Sequence, residues 1–195
     1  MNVLFPTVIH QFDVPTFKQV QKDLIKCVYE ERRKDPEGVG VSNRGGWQSS
    51  SHRFDKESDP LSKFLIEQVV NYFQKNRILK EGVKVRFNNW WININKKGSF
   101  NVKHNHPDSS LSGVFYLQCP KDCGKIVFES PHTFTRAKLY LYYNSSLRDS
   151  LNYHICMGFD AIPGEFFIFP SDLLHYVEES GSREDRISIS FNIGL

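Results

Sequence analysis

The stretch that decides the fold is Arg186-Ile187-Ser188-Ile189-Ser190-Phe191-Asn192-Ile193, in which polar and apolar side chains alternate strictly. Because successive side chains of a β-strand point to opposite faces, this period of two predicts a strand with an entirely apolar face. The opposite face carries a guanidinium, two hydroxyls and an amide. Such a face can hold a carboxylate through charge-assisted hydrogen bonds.

A second informative stretch lies upstream and reads His104-Asn105-His106-Pro107-Asp108. His106 and Asp108 are two positions apart, so in an extended segment both side chains leave the same face and can bind one ion. An isolated histidine, His175, follows an apolar run at 166–169 that is typical of a buried strand. Two imidazoles and one carboxylate can bind a mid-series divalent metal and leave positions open for a substrate and O₂.

The segment from residue 83 onward also predicts strands. Its apolar face switches near Asn88-Asn89, where two sets of opposite parity meet: Val83, Val85 and Phe87, then Trp90, Ile92 and Ile94. A bulge, or a strand covered on both faces, explains the switch. Beyond it, Asn93 points away from the isoleucines and is a candidate for contact with a cosubstrate or substrate. Further short strands are predicted near 125–128, 137–142 and 153–159.

Two helices are predicted before these strands, at residues 14–34 and about 60–76, from the helical spacing of their apolar residues. Asp59 is the expected N-cap of the second helix. Both helices are expected to buttress the outside of a sheet. Between them, the segment Gly38–Ser51 is rich in Gly, Ser and Asn, which is compatible either with a mobile lid over an active site or with an ordinary surface linker.

Taken together, these residues resemble the iron(II) and 2-oxoglutarate-dependent dioxygenases. The resemblance rests on His106-Pro107-Asp108 as His-x-Asp, the distal His175, and Arg186-Ile187-Ser188 as Arg-x-Ser. It implies a mainly β fold, a double-stranded β-helix or jelly roll of two facing antiparallel sheets. Over roughly residues 40–195 the chain is similar, more narrowly, to prolyl-hydroxylase-like 2-oxoglutarate oxygenases of bacteria and phages, for which no substrate is known.

The resemblance implies a non-haem iron(II) bound by His106, Asp108 and His175. The narrower family favours the His-x-His pair more consistently than the acid that follows it, so His104 is an alternative ligand. A site of three histidines still suits iron but lacks the negative charge of the carboxylate. Whichever of His104 and Asp108 does not bind the metal would then help to orient a residue that does.

The same resemblance implies that 2-oxoglutarate is the cosubstrate. Arg186 would bind its distal carboxylate, helped by Ser188, and Tyr116 matches a tyrosine that contacts 2-oxoglutarate in prolyl-hydroxylase-like members; Asn93 is a further candidate contact. The expected reaction consumes O₂, releases succinate and CO₂, and hydroxylates a substrate, whether a small molecule or a protein side chain.

Two alternatives remain open at this stage. One is a cupin-like metalloprotein with a three-histidine site that does not use 2-oxoglutarate, and the Arg-x-Ser pattern at 186–188 argues against it. The other is a non-catalytic jelly-roll binding module, such as a phage accessory protein, in which the histidines only brace loops. Bound metal at near-stoichiometric level would argue against that second alternative.

Composition limits the remaining possibilities. A chain of 195 residues is most simply one domain, with a helical part at about 1–80 and a β-helix core at about 83–195. Its 25 basic and 22 acidic residues are too evenly balanced to indicate a nucleic-acid partner. No apolar run is long enough for a membrane helix, and residues 1–6 do not resemble a signal peptide.

The cysteines indicate a reducing compartment. They do not form a zinc-binding pattern, and we expect free thiols at all four positions, namely Cys27, Cys119, Cys123 and Cys156. Cys119 and Cys123 are predicted to flank a turn at 120–122. The protein is therefore expected to be soluble and cytoplasmic, in the host cytoplasm if a phage encodes it.

Overall fold

Two antiparallel β-sheets form the body of the protein in this computed structural model, which describes residues 6–132 and 142–195. The strands in chain order are β1 (His10–Asp13), β2 (Asn43–Arg44), β3 (Trp47–Gln48), β4 (Arg86–Asn95), β5 (Phe100–His104), β6 (Leu111–Gln118), β7 (Ile126–Glu129), β8 (Cys156–Phe159), β9 (Glu165–Pro170), β10 (His175–Val177) and β11 (Arg186–Gly194). The larger sheet has the order β1-β9-β6-β11-β4-β3, and the smaller one β2-β5-β10-β7-β8. The predicted two-sheet, mainly β fold is confirmed.

Two long helices, α1 (Phe17–Lys34) and α2 (Pro60–Lys75), pack against the larger sheet, and a short helix, α3 (Ser145–Ser150), lies further along. Asp59 caps α2 as predicted, since its carboxylate accepts from the backbone N–H groups of Leu61 at 3.1 Å and Ser62 at 3.0 Å. Removing such a cap typically costs about 1 kcal/mol.

Helix α1 begins three residues later than the sequence predicts. Before the helix, the N–H of Val14 donates to the carbonyl of Gly164 at 3.0 Å. This bond fixes Val14 to the turn before β9, and the chain enters the helix only at Phe17. The second helix has the predicted start and ends within one residue of the predicted end.

Strand β11 lies between β6 and β4 in the larger sheet, and its alternation is as predicted. Its four apolar side chains are fully buried beneath the helices: Ile187, Ile189, Phe191 and Ile193. Burying a side chain of this size contributes roughly 1.5–3 kcal/mol. The polar face of the strand therefore turns toward the interior between the two sheets.

The predicted change of parity in β4 is a bulge. Asn192 of β11 pairs with Asn89, whereas the next residue, Ile193, pairs with Phe87, so Asn88 is the extra residue. Because of this bulge, Phe87 and Trp90 both contact the apolar cluster under the helices. The bulge also leaves the opposite parity of β4 free to line the interior.

The interior between the sheets holds a second, smaller apolar cluster, made of Val114, Tyr116, Ile126, Phe128, Phe167, Phe169 and Leu173. Polar side chains of β4, β5, β10 and β11 line the space beside it. The apolar cluster supports one part of the interior, and the polar part is left for a functional site.

The remaining predictions have mixed outcomes. Strands β7 and β8 lie where short strands are predicted near 125–128 and 153–159, whereas most of the predicted strand at 137–142 lies outside the described residues. Within Gly38–Ser51, β2 pairs with the smaller sheet and β3 with the larger, so this segment joins the two sheets. In the described residues, no helix has the length and apolarity that crossing a membrane requires.

Candidate metal centre

Three histidines converge at the polar end of the interior. His104 is the last residue of β5, His106 follows two positions later, and His175 opens β10 directly opposite His104. One ring nitrogen from each lies within 4.8 Å of the others. Imidazoles at this spacing can bind a single divalent ion such as iron.

Hydrogen bonds orient all three rings toward a common point. The Nδ1 atom of His104 lies 2.7 Å from the carbonyl oxygen of Val102. The Nδ1 atom of His106 lies 2.7 Å from Oδ1 of Asn192, and that of His175 lies 2.9 Å from the carbonyl oxygen of Leu173. Since these oxygens only accept, each Nδ1 carries the proton. Each Nε2 therefore keeps a lone pair for a metal, the arrangement usual for metal-binding histidines.

Burial keeps these imidazoles neutral. It is the largest cause that lowers the pKa of His104 and His106, and it lowers the pKa of His175 to about 3, with a further contribution from its two histidine neighbours. Neutral imidazoles bind metal without first losing a proton, so the three histidines are ready to bind an ion at neutral pH.

Asp108 is not part of this group. It is exposed in the turn that follows His106, whereas the sequence interpretation places it beside His106 on one extended strand. The difference arises because β5 ends at His104, and the chain then bends, with the N–H of Ser109 bonding to the carbonyl of His106 at 3.3 Å. The two-residue spacing that brings side chains together is therefore that of His104 and His106.

Arg186 lies in a narrow polar cavity next to the three histidines, and only 1 % of its surface is exposed. In the part of the chain that the structure describes, its guanidinium donates only to two backbone carbonyls, those of Cys123 at 3.0 Å and Gly124 at 3.4 Å, and its Nε has no partner. A buried, incompletely paired cation is costly unless an anion joins it. A carboxylate next to the guanidinium would complete its pairing.

The other predicted cosubstrate residues line the same cavity. Ser188 and Tyr116 are cross-strand partners in β11 and β6, and both are buried. Burial raises the pKa of Tyr116, which keeps its phenol protonated and able to donate a hydrogen bond. Asn93 donates to Ser190 at 3.2 Å, while its Oδ1 has no partner among the described residues.

A second, more open cavity of about 300 Å³ adjoins the histidines from outside. His104, His106 and Trp91 line both cavities, and the Trp91 ring lies 5.4 Å from that of His106. Asp108 and Gln48 line the outer cavity alone. The metal centre therefore lies between an enclosed polar cavity and a cavity that opens to solvent.

The sequence interpretation missed the role of Asn192. Its Oδ1 accepts from His106 and also from Ser112 at 2.8 Å, while its amide nitrogen donates to Asn89 at 3.0 Å. Asn192 has the same parity in β11 as Arg186 and Ser188, so the alternation already indicated that its side chain lies on the same face as theirs. Its partner could not be identified without knowing where β5 ends.

The jelly-roll interior, the three converging imidazoles and the buried arginine together define a protein with a metal site next to a site for an anionic group. Comparison with protein families agrees, because residues 89–192 match the family described as "Putative 2OG-Fe(II) oxygenase". The match covers more than half of the chain, and the protein belongs to this family. It is accordingly an enzyme that depends on iron(II) and 2-oxoglutarate. No curated protein sequence matches the chain significantly.

Solved structures share the fold at low sequence identity. A Pseudomonas putida prolyl-4-hydroxylase is 14% identical, with a TM-score of 0.65 over 97% of this chain and 94% of its own. HygX from Streptomyces hygroscopicus, with nickel and 2-oxoglutarate bound, is 12% identical, with a TM-score of 0.63 over 96% of this chain and 82% of its own. A Trichoplax adhaerens prolyl hydroxylase, in complex with a hypoxia inducible factor peptide fragment, is 13% identical, with a TM-score of 0.63 over 95% of this chain and 83% of its own.

The donor set fits the cofactors of this family. Three neutral imidazoles suit iron(II), and the buried guanidinium suits a dicarboxylic keto acid. Family membership favours the predicted enzyme over both alternatives, the cupin-like protein without 2-oxoglutarate and the non-catalytic module. The three-histidine group is nevertheless a feature that the cupin-like alternative also predicts.

Proposed function

We propose that this protein is a hydroxylase whose iron(II) is bound by His104, His106 and His175, and whose 2-oxoglutarate occupies the inner cavity. The observation that carries the proposal is the buried Arg186, incompletely paired, in the same narrow cavity as three imidazoles with free Nε2 lone pairs. When bound, iron and 2-oxoglutarate together supply an oxidation in which 2-oxoglutarate and O₂ become succinate and CO₂ and one oxygen atom enters a substrate C–H bond.

The protein's own groups position the reactants. Arg186 binds the distal carboxylate of 2-oxoglutarate as a fork, and Ser188 and Tyr116 add hydrogen-bond donors on the same wall. Trp91 lines both cavities, beside His106. Positioning of this kind supplies much of the rate acceleration when a cofactor carries the chemical step.

We assign the outer cavity to the substrate, because it shares His104 and His106 with the inner cavity and is open to solvent. Its volume of about 300 Å³ suits a small molecule or one side chain of a peptide. The neighbour from Trichoplax adhaerens binds a peptide, which is why a peptide substrate is included in the proposal.

Four free cysteines favour a reducing compartment, and we propose the cytoplasm.

Anaerobic titration tests the proposed cofactors directly. Adding iron(II) and then 2-oxoglutarate is expected to produce the weak visible charge-transfer band of the chelate, and admitting air is expected to yield succinate. Succinate itself, which lacks the keto group, should bind without the band. Iron binding that gives neither the band nor succinate formation would contradict the proposal.

The choice between His104 and Asp108 has its own test. His104→Ala is expected to lose iron affinity, whereas Asp108→Ala is expected to retain it, because Asp108 lies outside the histidine group. Iron affinity of both variants is measured by competition with a metal-binding dye. The reverse result would make Asp108 the third ligand, as the His-x-Asp resemblance implies.

A further inference from the structure

The outer cavity carries a negative charge that no basic side chain balances. Asp108 lines this cavity, is exposed, and forms no ion pair with the described residues. Among the residues that the structure describes, no lysine or arginine lines the cavity, although the chain has 25 of them. A phosphate or carboxylate on a ligand would find no basic side chain here, whereas a cationic group would find a carboxylate.

A second acceptor without a partner lies in the wall of the same cavity. Gln48 of β3 lines the outer cavity and is 5% exposed, and its Oε1 has no hydrogen-bond partner among the described residues. Its cross-strand neighbour Asn93 does not supply a donor, because the Asn93 amide donates to Ser190 at 3.2 Å. A buried acceptor left unpaired is costly, and a donor on a ligand would offset that cost.

Other amides and hydroxyls of this wall are already used within the protein. Asn89 donates to Ser51 at 2.8 Å and accepts from Asn192 at 3.0 Å. The hydroxyl of Ser49 donates to the carbonyl of Ser50 at 2.9 Å. The two acceptors described above differ from these groups, because no donor of the described residues reaches them. The cavity therefore favours a ligand that donates hydrogen bonds.

Apolar surface lies in the same cavity. Val39 and Val41 line it and are 38% and 67% exposed, and Pro107 and Trp91 line it as well. An aliphatic chain placed in the cavity would remove part of this surface from water, which favours binding. The cavity thus combines unpaired acceptors with apolar side chains.

We propose that the substrate carries a protonated amine on an aliphatic chain, with the amine held by Asp108 and Gln48 and the chain against Val39 and Val41. An ammonium group suits such acceptors because it has three donors and no acceptor. This assignment rests on the proposed function, in which the outer cavity holds the substrate. A free amine and a lysine side chain of a peptide share this chemistry, and a cavity of about 300 Å³ admits either.

The test compares probes that have chains of equal length and different head groups, namely pentylamine, pentanol and pentanoate. The protein is loaded anaerobically with iron(II) and saturated with 2-oxoglutarate, which occupies the inner cavity and prevents pentanoate from binding there. Calorimetric titration should show pentylamine binding at least about tenfold more tightly than either other probe, the difference expected for a hydrogen bond to a charged group.

A fourth probe identifies the source of the amine. Nα-acetyl-lysine methylamide presents the same ammonium group as a lysine within a peptide. Tighter binding of this probe than of pentylamine would support the proposal with a peptide side chain as substrate. Weaker binding than pentylamine would support it with a free amine as substrate.

Two substitutions test the acceptors separately. Gln48→Leu should weaken pentylamine binding about tenfold without lowering the melting temperature, because it removes a buried oxygen that has no partner among the described residues. Asp108→Asn should weaken pentylamine binding by up to about fivefold, since ion pairs at exposed positions contribute little. The charge-transfer band recorded before each titration shows that the variant is loaded.

Asp172→Asn is the matched control. Asp172 is exposed and lies close to the outer cavity, since its carbonyl accepts from Asn105 at 3.5 Å, but it lines neither cavity. This variant should bind pentylamine as the wild type does. An equal loss of affinity in Asp172→Asn and Asp108→Asn would mean that the effect of Asp108 is not local, and would overturn its assigned contact.

Pentanol or pentanoate binding as tightly as pentylamine would overturn the proposal, and so would unchanged pentylamine affinity in both Gln48→Leu and Asp108→Asn. The titrations are repeated without iron, so that the two ideas fail separately. A normal charge-transfer band without a preference for the amine would leave the proposed function standing and remove this substrate class. A preference for the amine in protein that gives no band would leave the amine site standing without the proposed function.

Discussion

Replacing Arg186 by alanine is expected to weaken 2-oxoglutarate binding by roughly 30-fold to several thousand-fold, equivalent to about 2–5 kcal/mol, while iron affinity barely changes. The reason is that Arg186 is almost fully buried, and no other arginine or lysine lines the inner cavity formed by the described residues. Arg186→Lys should have a smaller effect, because an ammonium keeps the charge but not the planar fork. Anaerobic titration of the charge-transfer band measures both affinities.

Arg183→Ala is the matched control, because it removes an exposed arginine from the segment just before β11. It should bind 2-oxoglutarate with wild-type affinity. Since Arg186 also binds the turn at Cys123, thermal unfolding of each variant shows whether the fold has been weakened. If Arg186→Ala folds and keeps wild-type 2-oxoglutarate affinity and succinate formation, the cosubstrate assignment is wrong.

Much of the fold follows from patterns that are local in the sequence. The period of two in residues 186–193 predicted both faces of β11. The parity change near Asn88-Asn89 predicted either a bulge or a strand covered on both faces, and the structure has the bulge. These predictions succeed because strand side chains alternate regardless of which strands are neighbours. The order of strands within the sheets could not be obtained in this way, because it depends on pairing between distant segments.

In the candidate site, too, the features set by local sequence were predicted and those set by contacts between distant segments were not. Parity correctly directs Arg186, Ser188 and Asn93 at one cavity, although their roles there remain predictions. The place of Asp108 could not be predicted, because it depends on β5 ending at His104 and on the bend that follows. The contact between Arg186 and the Cys123 carbonyl was also beyond the sequence, since it joins the start of β11 to a turn far upstream.

Substituting alanine for His175, or for His106, is expected to abolish metal binding without unfolding the protein. Each ring provides one of the three nitrogens that lie within 4.8 Å of one another, and two imidazoles alone form a weak site. Losing a residue that only orients a metal ligand typically costs roughly 10–100-fold in metal affinity, so losing a ligand should cost more. Asn192→Ala, which removes the hydrogen-bond acceptor of His106, should fall in that lower range.

His154→Ala provides the matched control, because His154 lies outside the group and pairs with Asp149 at 3.3 Å. It should bind iron(II) as the wild type does. Circular dichroism and thermal unfolding of every variant separate loss of the site from loss of the fold, which matters for His175 because its ring packs 4.8 Å from that of Phe169. Folded His106→Ala and His175→Ala proteins that both retain wild-type iron affinity would show that the three histidines only brace the ends of β5 and β10.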